Sequence, residues 1–562
     1  MNWDEHCDVL VFGSGAAGLT AALVAASEGL DVLLCEKTGL VGGTTARSAG
    51  TLWVPGAPPI DRSGHGEERA VVERYLRHEL GVHHDDPAVR AFLDSAPQAV
   101  RYLEEHSAVR FQHVENPDYH SDAPGGSAFG RGIAPVPFDA RELGADFAIL
   151  RPPLAIHMVL GGMMVGRREV PLLLQPFKSM FALKTAATIV AGHLRARLTH
   201  PRGTRLLLGN ALVARLLYSL RKAGARIRLQ TGLVDLVRDG GRVRGAVVRH
   251  AAGDSRVEAR RAVVLATGGM AHDHDARKTL MSAFPHRHSL ACEANAGEGI
   301  QAARRIGAAL NAQVASPAFW SPASVLRAPD GGETLWLHGH MDRGKPGLLA
   351  VDARGHRFVN ESDSYHDFVM AQFGTVGRGP AHVPAYLVCD HRFIRRYGLG
   401  MVVPIYGRLD RYVKAGYLHR AESIGALASQ IGAEPDVLQA TVAAYDRDAR
   451  QGLDAAFGRG QSAFNRFNGD PEIQPNPCMH PLDQPPFYAV KVEPCSIGHA
   501  LGLATDTDSR VQDESGCAIE GLYACGNDMT SVMRGLYPGP GIMLGPAVTF
   551  GYRAAMAIAG GN

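Results

Sequence analysis

The 562-residue sequence predicts an α/β fold: a Rossmann-like nucleotide-binding domain whose chain is interrupted by an inserted α+β domain. Three observations predict it. A strand, a glycine-rich turn, a helix and a second strand ending in an acid open the chain. Apolar strands running into Thr267-Gly268-Gly269 and into Gly526-Asn527-Asp528 return to the same domain from far along the chain. Between them the sequence turns irregular at 318–322 and carries its own strand and turn pattern as far as Pro485-Pro486. The divisions are accordingly placed at 1–318, 319–489 and 490–562, the first and last forming one nucleotide-binding body.

Composition narrows the classes. Hydrophobic residues at 46% and charged residues at 20% are those of a globular enzyme with a large core. A formal charge of +2 gives no global support for a nucleic-acid partner. Eight scattered cysteines without a CxxC pair argue against a zinc site, an iron–sulfur cluster or a disulfide framework, and fit a reducing cytoplasm. No signal core precedes the first strand, and no apolar run is long enough to span a bilayer.

In chain order, Asp8-Val9-Leu10-Val11-Phe12 reads as a buried strand and leads into Gly13-Ser14-Gly15-Ala16-Ala17-Gly18. An alanine-rich helix follows, then the strand Asp31-Val32-Leu33-Leu34-Cys35 ending at Glu36. Gly13 makes the tight turn, Gly15 lets a pyrophosphate approach, and Gly18 lets helix and strand sit close. The helix start at Ala16 and Ala17 offers N–H groups to the phosphates. Glu36, 18 residues after Gly18, is placed to hold a ribose hydroxyl pair.

After the acid comes a run of small and hydroxyl residues, Lys37-Thr38-Gly39-Leu40-Val41-Gly42-Gly43-Thr44-Thr45-Ala46-Arg47-Ser48-Ala49-Gly50, where a bare NAD fold would continue into a helix. The run resembles the FAD enzymes of the fumarate reductase and 3-ketosteroid dehydrogenase superfamily, whose nucleotide domain is of the glutathione-reductase type. Ala266-Thr267-Gly268-Gly269, Ala296-Gly297-Glu298-Gly299-Ile300 and Gly521-Leu522-Tyr523-Ala524-Cys525-Gly526-Asn527-Asp528 match further pieces of it. The resemblance implies FAD, held by Lys37, Gly43, Thr44, Thr45, Ser48, Ala49 and Gly50 with the fingerprint residues. It adds Val234, Ala266, Thr267, Gly268, Gly526, Asn527 and Asp528. A hairpin about Gly240-Gly241 belongs to the same body.

The middle of the chain holds a basic, apolar insertion at about 150–205. Between Val170 and Val234 there is no Asp or Glu, against eleven Lys and Arg. That composition suits an interfacial helix at anionic lipid, or an amphipathic hairpin with a solvated basic face. The expected location is therefore cytoplasmic, with a peripheral contact at the inner face of the membrane.

The remaining motifs concern chemistry. The 118–130 stretch is a loop by composition and carries Tyr119. Residues 348–361 read as two short strands and a turn delivering Asn360-Glu361, with Tyr365 four residues beyond the acid. Near the end, Gly535-Leu536-Tyr537-Pro538-Gly539-Pro540-Gly541-Ile542-Met543-Leu544-Gly545 cannot form a helix interior or an internal strand, and suits a backbone laid along a flat ligand. These three stretches resemble the 3-ketosteroid Δ1-dehydrogenases. The resemblance implies that Tyr537 and the Gly541 N–H polarise a ketone, that Tyr365 takes the C2 proton with help from Tyr119, and that hydride leaves C1 for the flavin. Gly541 and Leu544 would also offer backbone to the flavin. An external acceptor, quinone or similar, is implied as partner. A Δ4-dehydrogenase, a fumarate-reductase-like enoate reductase and a flavin-bearing membrane-docking protein stand as alternatives. His499 and Arg534 depart from the steroid pattern.

Overall fold

The computed structural model describes residues 2–374, 381–404 and 408–561. Its first sheet grows from the strand Glu5–Phe12, buried from Val9 to Phe12 because apolar residues there face layers on both sides. Val32–Cys35 and Gly253–Leu265 flank it in parallel. Ala518–Ala524 joins the far side of Gly253–Leu265, with Val263 opposite Leu522. The helix Ala16–Ser27 is apolar all round and is covered all round, by the sheet and by the helices Leu208–Lys222 and Leu544–Ala559. Gly13 has φ +100°, and a Cβ there would lie 2.1 Å from the Ala266 carbonyl oxygen. A Cβ on Gly18 would lie 2.0 Å from the Gly13 oxygen. Both glycines therefore have the jobs the fingerprint gives them. The hairpin about Gly240-Gly241 is present as Gly232–Asp239 paired with Arg242–His250.

The second sheet has seven strands and belongs to the insert. Its spine is the 13-residue strand Phe487–His499. The first half pairs with Ala385–Cys389 and Leu418–Ala421, the second with Ala318–Arg327 and His288–Ser289. The division placed at 489/490 thus falls inside a strand, and the sheet draws its edge pair His288–Ser289 from before residue 319.

One local expectation is corrected. Residues 356–361 form no second strand; the strand Leu348–Asp352 turns back through a single bridge between Val351 and Arg357. A buried carboxylate organises this stretch instead of a ladder. Glu361 accepts the Ala350 N–H at 3.0 Å, both arms of Arg357 at 2.7 Å and Arg459 at 2.9 Å. Burial works against its charge, but Arg357 and Arg459 hold its pKa below the usual carboxylate value. From this anchor the chain reaches Ser364, whose hydroxyl caps the helix Tyr365–Phe373. Tyr365 is thereby fixed at a capped helix start.

The insertion at about 150–205 includes the helices Val170–Leu174 and Met180–Arg197. Only Ala182, Ala186 and His193 of the longer helix are buried. Among the described residues no helix is long and apolar enough to cross a membrane.

Glu361→Ala leaves the buried Arg459 side chain without a carboxylate partner and Arg357 with Asp454 alone. It is expected to destabilise the inserted domain by about 3–5 kcal/mol in urea unfolding; a loss below about 1 kcal/mol would show that Glu361 does not organise this turn.

Candidate active site

The dinucleotide cradle is built from the first sheet's carboxyl edge. The helix Ala16–Ser27 has no cap from its own N-cap residue Gly15; Thr45 takes the Ala16 N–H, and the Ala17 and Gly18 N–H groups, without acceptors among the described residues, stand as anion donors. A Cβ on Gly15 would meet only the Thr45 hydroxyl, at 3.6 Å, and one on Gly43 would meet nothing, which leaves both faces open for a ligand. Glu36 is buried at the end of the second strand. It accepts the Ser14 hydroxyl at 2.5 Å and the Thr38 N–H and hydroxyl at 2.9 Å. Thr45 accepts the Ala16 N–H at 3.0 Å, and Thr44 accepts N–H groups of Cys292 and Asn295. Lys37 is tied to Glu298, the acid at the start of the helix Glu298–Arg305. Gly50 (φ +70°) presses on the backbone of Leu208 and Gly209, while Ser48 bonds within its own turn and Ala49 is exposed.

The far strands close the cradle. Asp528 binds the Thr267 N–H, the Thr267 hydroxyl at 3.0 Å and the Gly269 N–H at 2.9 Å. Both its oxygens thus hold the 266–269 turn, with burial pushing its pKa up to about 6. Gly526 lies over Ala17, and Asn527 lines a narrow pocket with Phe319, Met543 and Ala547. Val234 sits at a bulge, its carbonyl taken by Arg305. At the start of the helix Leu544–Ala559, Gly545 and Ala547 already donate to the Gly541 and Met543 carbonyls and Pro546 has no N–H, which leaves the Leu544 N–H without an acceptor among the described residues. An acid for a ribose, one open helix start and small-residue turns fit an FAD.

The three tyrosines named from sequence form one chain. The Tyr119 hydroxyl donates to Tyr365 at 2.8 Å, and Tyr365 donates to Tyr537 at 2.8 Å. Tyr119 and Tyr537 come from the nucleotide body and Tyr365 from the insert. The Gly-Pro run is pinned around them. Pro538 accepts the Tyr119 N–H at 3.0 Å and the Tyr75 hydroxyl at 2.5 Å. Gly541 has φ +98°, its carbonyl accepts the Trp53 N–H at 3.1 Å, and its own N–H has no acceptor among the described residues.

Burial raises the pKa of all three phenols, but not equally. Tyr119 and Tyr537 are pushed well above the ordinary value. Tyr365 is pushed up less, because its two phenol neighbours and the Arg343 guanidinium favour its anion. The walls are aromatic and neutral: Phe464 and His340 pack on Tyr119, while Phe319 and His366 pack on Tyr537. Burial drives His366 down to about 4 and His340 well below its ordinary value.

Several of these residues escaped the sequence reading. Ser14 lies inside the fingerprint. Asp118 adjoins Tyr119 and is clamped by Arg131 and by the Trp53 indole N–H at 2.9 Å. Tyr75, His340 and Phe464 meet the site only through folding. The two residues that departed from the steroid pattern do not join the phenols. His499 accepts the Met270 N–H at 3.0 Å behind the 266–269 turn, and burial holds its pKa down at about 3. Arg534 pairs with Asp86.

The fold and site define a flavoprotein dehydrogenase. A family described as an FAD binding domain matches residues 8–544. The chain is 36% identical to the 3-oxosteroid 1-dehydrogenase of Mycobacterium tuberculosis (strain ATCC 25618 / H37Rv), covering 99% of this chain and 98% of that one. It is 38% identical to the 4-oxocyclohex-2-ene-1-carboxylate 5-dehydrogenase of Sinomonas cyclohexanicum, over 98% and 94% of the two chains. The crystal structure of 3-ketosteroid delta1-dehydrogenase from Sterolibacterium denitrificans, in complex with 1,4-androstadiene-3,17-dione, matches with TM-score 0.91 at 32% identity, over 99% and 100%. The chain belongs to the family of FAD-binding dehydrogenases that includes the 3-oxosteroid 1-dehydrogenases.

Glu36→Ala removes a carboxylate that orders the first turn and faces the ribose position. Loss of charge-assisted hydrogen bonds of about 1.5–3 kcal/mol corresponds to roughly 10–100-fold weaker FAD retention. The ratio of flavin to protein absorbance on dilution measures it, and wild-type retention would remove Glu36 from the cofactor site.

Proposed function

We propose that this enzyme introduces a C1–C2 double bond into a 3-ketosteroid. The observation that carries the proposal is the Tyr119–Tyr365–Tyr537 chain, with both hydroxyl contacts at 2.8 Å. The Tyr537 hydroxyl and the Gly541 N–H receive the C3 carbonyl oxygen. Two donors on that oxygen draw charge from the adjacent carbon and acidify its C–H bonds. Tyr365, the most readily ionised of the three phenols, takes the C2 proton, and the Tyr119 hydroxyl steadies its anion. Bound FAD supplies the acceptor for the hydride leaving C1. The electron pair of the broken C2–H bond becomes the new π bond. The carrier of electrons away from the flavin is a quinone or a similar external acceptor.

The neutral walls favour a steroid over an acid. The cyclohexenecarboxylate enzyme shares the ketone problem, but a carboxylate here would face Phe319, Phe464 and two uncharged histidines. The Arg343 guanidinium is fully buried and spent on the carbonyls of His338 and Glu361. Reduction of a dicarboxylate has less support still, because Arg534 is already paired with Asp86.

We also propose that the insertion at about 150–205 rests on an anionic membrane surface. Phe177 is 88% exposed, Met180 78%, Phe181 70% and Leu198 84%, beside Lys184, Arg195 and Arg197. Arg167 and Lys178 tie this unit to Asn468 and Glu472 of the insert, close in sequence to Phe464 on Tyr119. The apolar face would then flank the route by which an apolar substrate arrives.

Tyr537→Phe tests the ketone donor. Removing one such donor is expected to lower kcat about 10²–10³-fold with FAD still bound; near-normal turnover would remove Tyr537 from that role. The surface claim predicts co-sedimentation with anionic liposomes at low salt, lost in a Phe177→Ser/Phe181→Ser double variant. If the intact protein stays in the supernatant, the membrane contact falls.

A further inference from the structure

We propose that His120 is a positioning residue for the phenol chain, clamping the loop that carries Tyr119 to the helix that carries Tyr365. The inference rests on the steroid-dehydrogenase reading above and adds to it the device that sets the base's geometry.

The clamp is a three-membered bridge. His120 Nδ1 lies 2.7 Å from Glu79 Oε2, and Nε2 lies 3.0 Å from Asp367 Oδ2. A carboxylate faces each ring nitrogen, so both nitrogens carry protons and the ring is an imidazolium. Burial opposes that charge, yet the hydrogen bonds and fields of Asp367 and Glu79 prevail and raise the pKa to about 11. The bridge therefore stays charged throughout the neutral range, where a lone histidine would titrate.

Its position gives it its role. His120 follows Tyr119 directly, and Asp367 lies two residues after Tyr365 in the first turn of Tyr365–Phe373. Asp367 also accepts the hydroxyl of the capping Ser364 at 2.6 Å. Glu79 belongs to the helix Arg69–Leu80, and that same helix supplies Tyr75, whose hydroxyl holds Pro538 beside Tyr537. One helix thus anchors the Tyr537 loop through Tyr75 and the Tyr119 loop through Glu79, while the imidazolium reaches across to the insert. The three phenols come from segments up to 418 residues apart (119 to 537); Tyr365 meets the other two through hydroxyls and ring edges, and Tyr119 stacks on Tyr537. Without a rigid tie between body and insert, rotation of the insert would open the contacts of Tyr365 with Tyr119 and Tyr537. Misplacement of a catalytic group by about 1 Å costs on the order of 100-fold in rate.

The test uses the full-length FAD-loaded enzyme and a 4-ene-3-ketosteroid, unlabelled and dideuterated at C2. His120→Gln removes the charge from the centre of the bridge, and Asp367→Asn removes it from the insert's end while keeping the side chain's size. Both variants are expected to keep the wild-type flavin spectrum and a KM within about threefold of wild type. Both should lose at least about tenfold in kcat, with a larger deuterium isotope effect on kcat as C2 proton removal becomes slower than the other steps. A kcat near wild type in both variants overturns the proposal. So does a lowered kcat with an unchanged isotope effect, because that reports fewer active molecules and not a misplaced base. A wild-type enzyme that leaves the steroid unoxidised fails the underlying reading itself, which separates the two failures.

Discussion

Three buried phenols hydrogen-bonded to one another are the constraint on which this structure turns. A hydroxyl taken out of water without a partner costs about 1–3 kcal/mol, so Tyr119 and Tyr537 each need Tyr365 in place. Two of them belong to the nucleotide body and one to the insert. The chain therefore fastens two domains at the point where a ketone would sit. Much of the surrounding architecture serves this alignment: the buried Glu361 cluster that fixes the start of the Tyr365 helix, the Asp118–Arg131 pair next to Tyr119, and the Tyr75 hydroxyl on Pro538.

Electrostatics then separate three chemically identical groups. Desolvation alone would make every phenol a poor base. The middle phenol escapes in part because a phenol on each side and a fully buried guanidinium, Arg343, favour its anion. The outer two lack such support and stay protonated, which suits the proposed roles of one as donor to the ketone and the other as donor to the base. Position within a hydrogen-bonded row thus assigns acid and base roles without any change of residue type.

The nucleotide body was legible in the sequence because its signals are local. Gly13, Gly15 and Gly18 act within six residues, and the acid at Glu36 closes the same βαβ unit. The three tyrosines were legible through motif resemblance, one in each of three distinct stretches. What escaped depends on partners remote in the chain. Tyr75 meets Pro538 across 463 positions, and His120 meets Asp367 across 247. Asn360-Glu361 looked like the end of a hairpin because apolar runs at 348–351 and Phe358-Val359 flank a turn, yet a buried carboxylate with two arginines replaced the ladder. The 489/490 division failed to mark an edge because Phe487–His499 is one continuous strand shared by everything around it. His499 and Arg534 depart from the steroid pattern in sequence, and in space they brace a turn and pair with Asp86.

The central claim is that Tyr365 removes the proton next to the carbonyl. Anaerobic mixing of Tyr365→Phe enzyme with a 4-ene-3-ketosteroid, followed by flavin absorbance, tests it most directly. The account predicts that steroid binding still perturbs the flavin spectrum while bleaching slows at least about 100-fold, the lower range for a general base. Bleaching at the wild-type rate would contradict it.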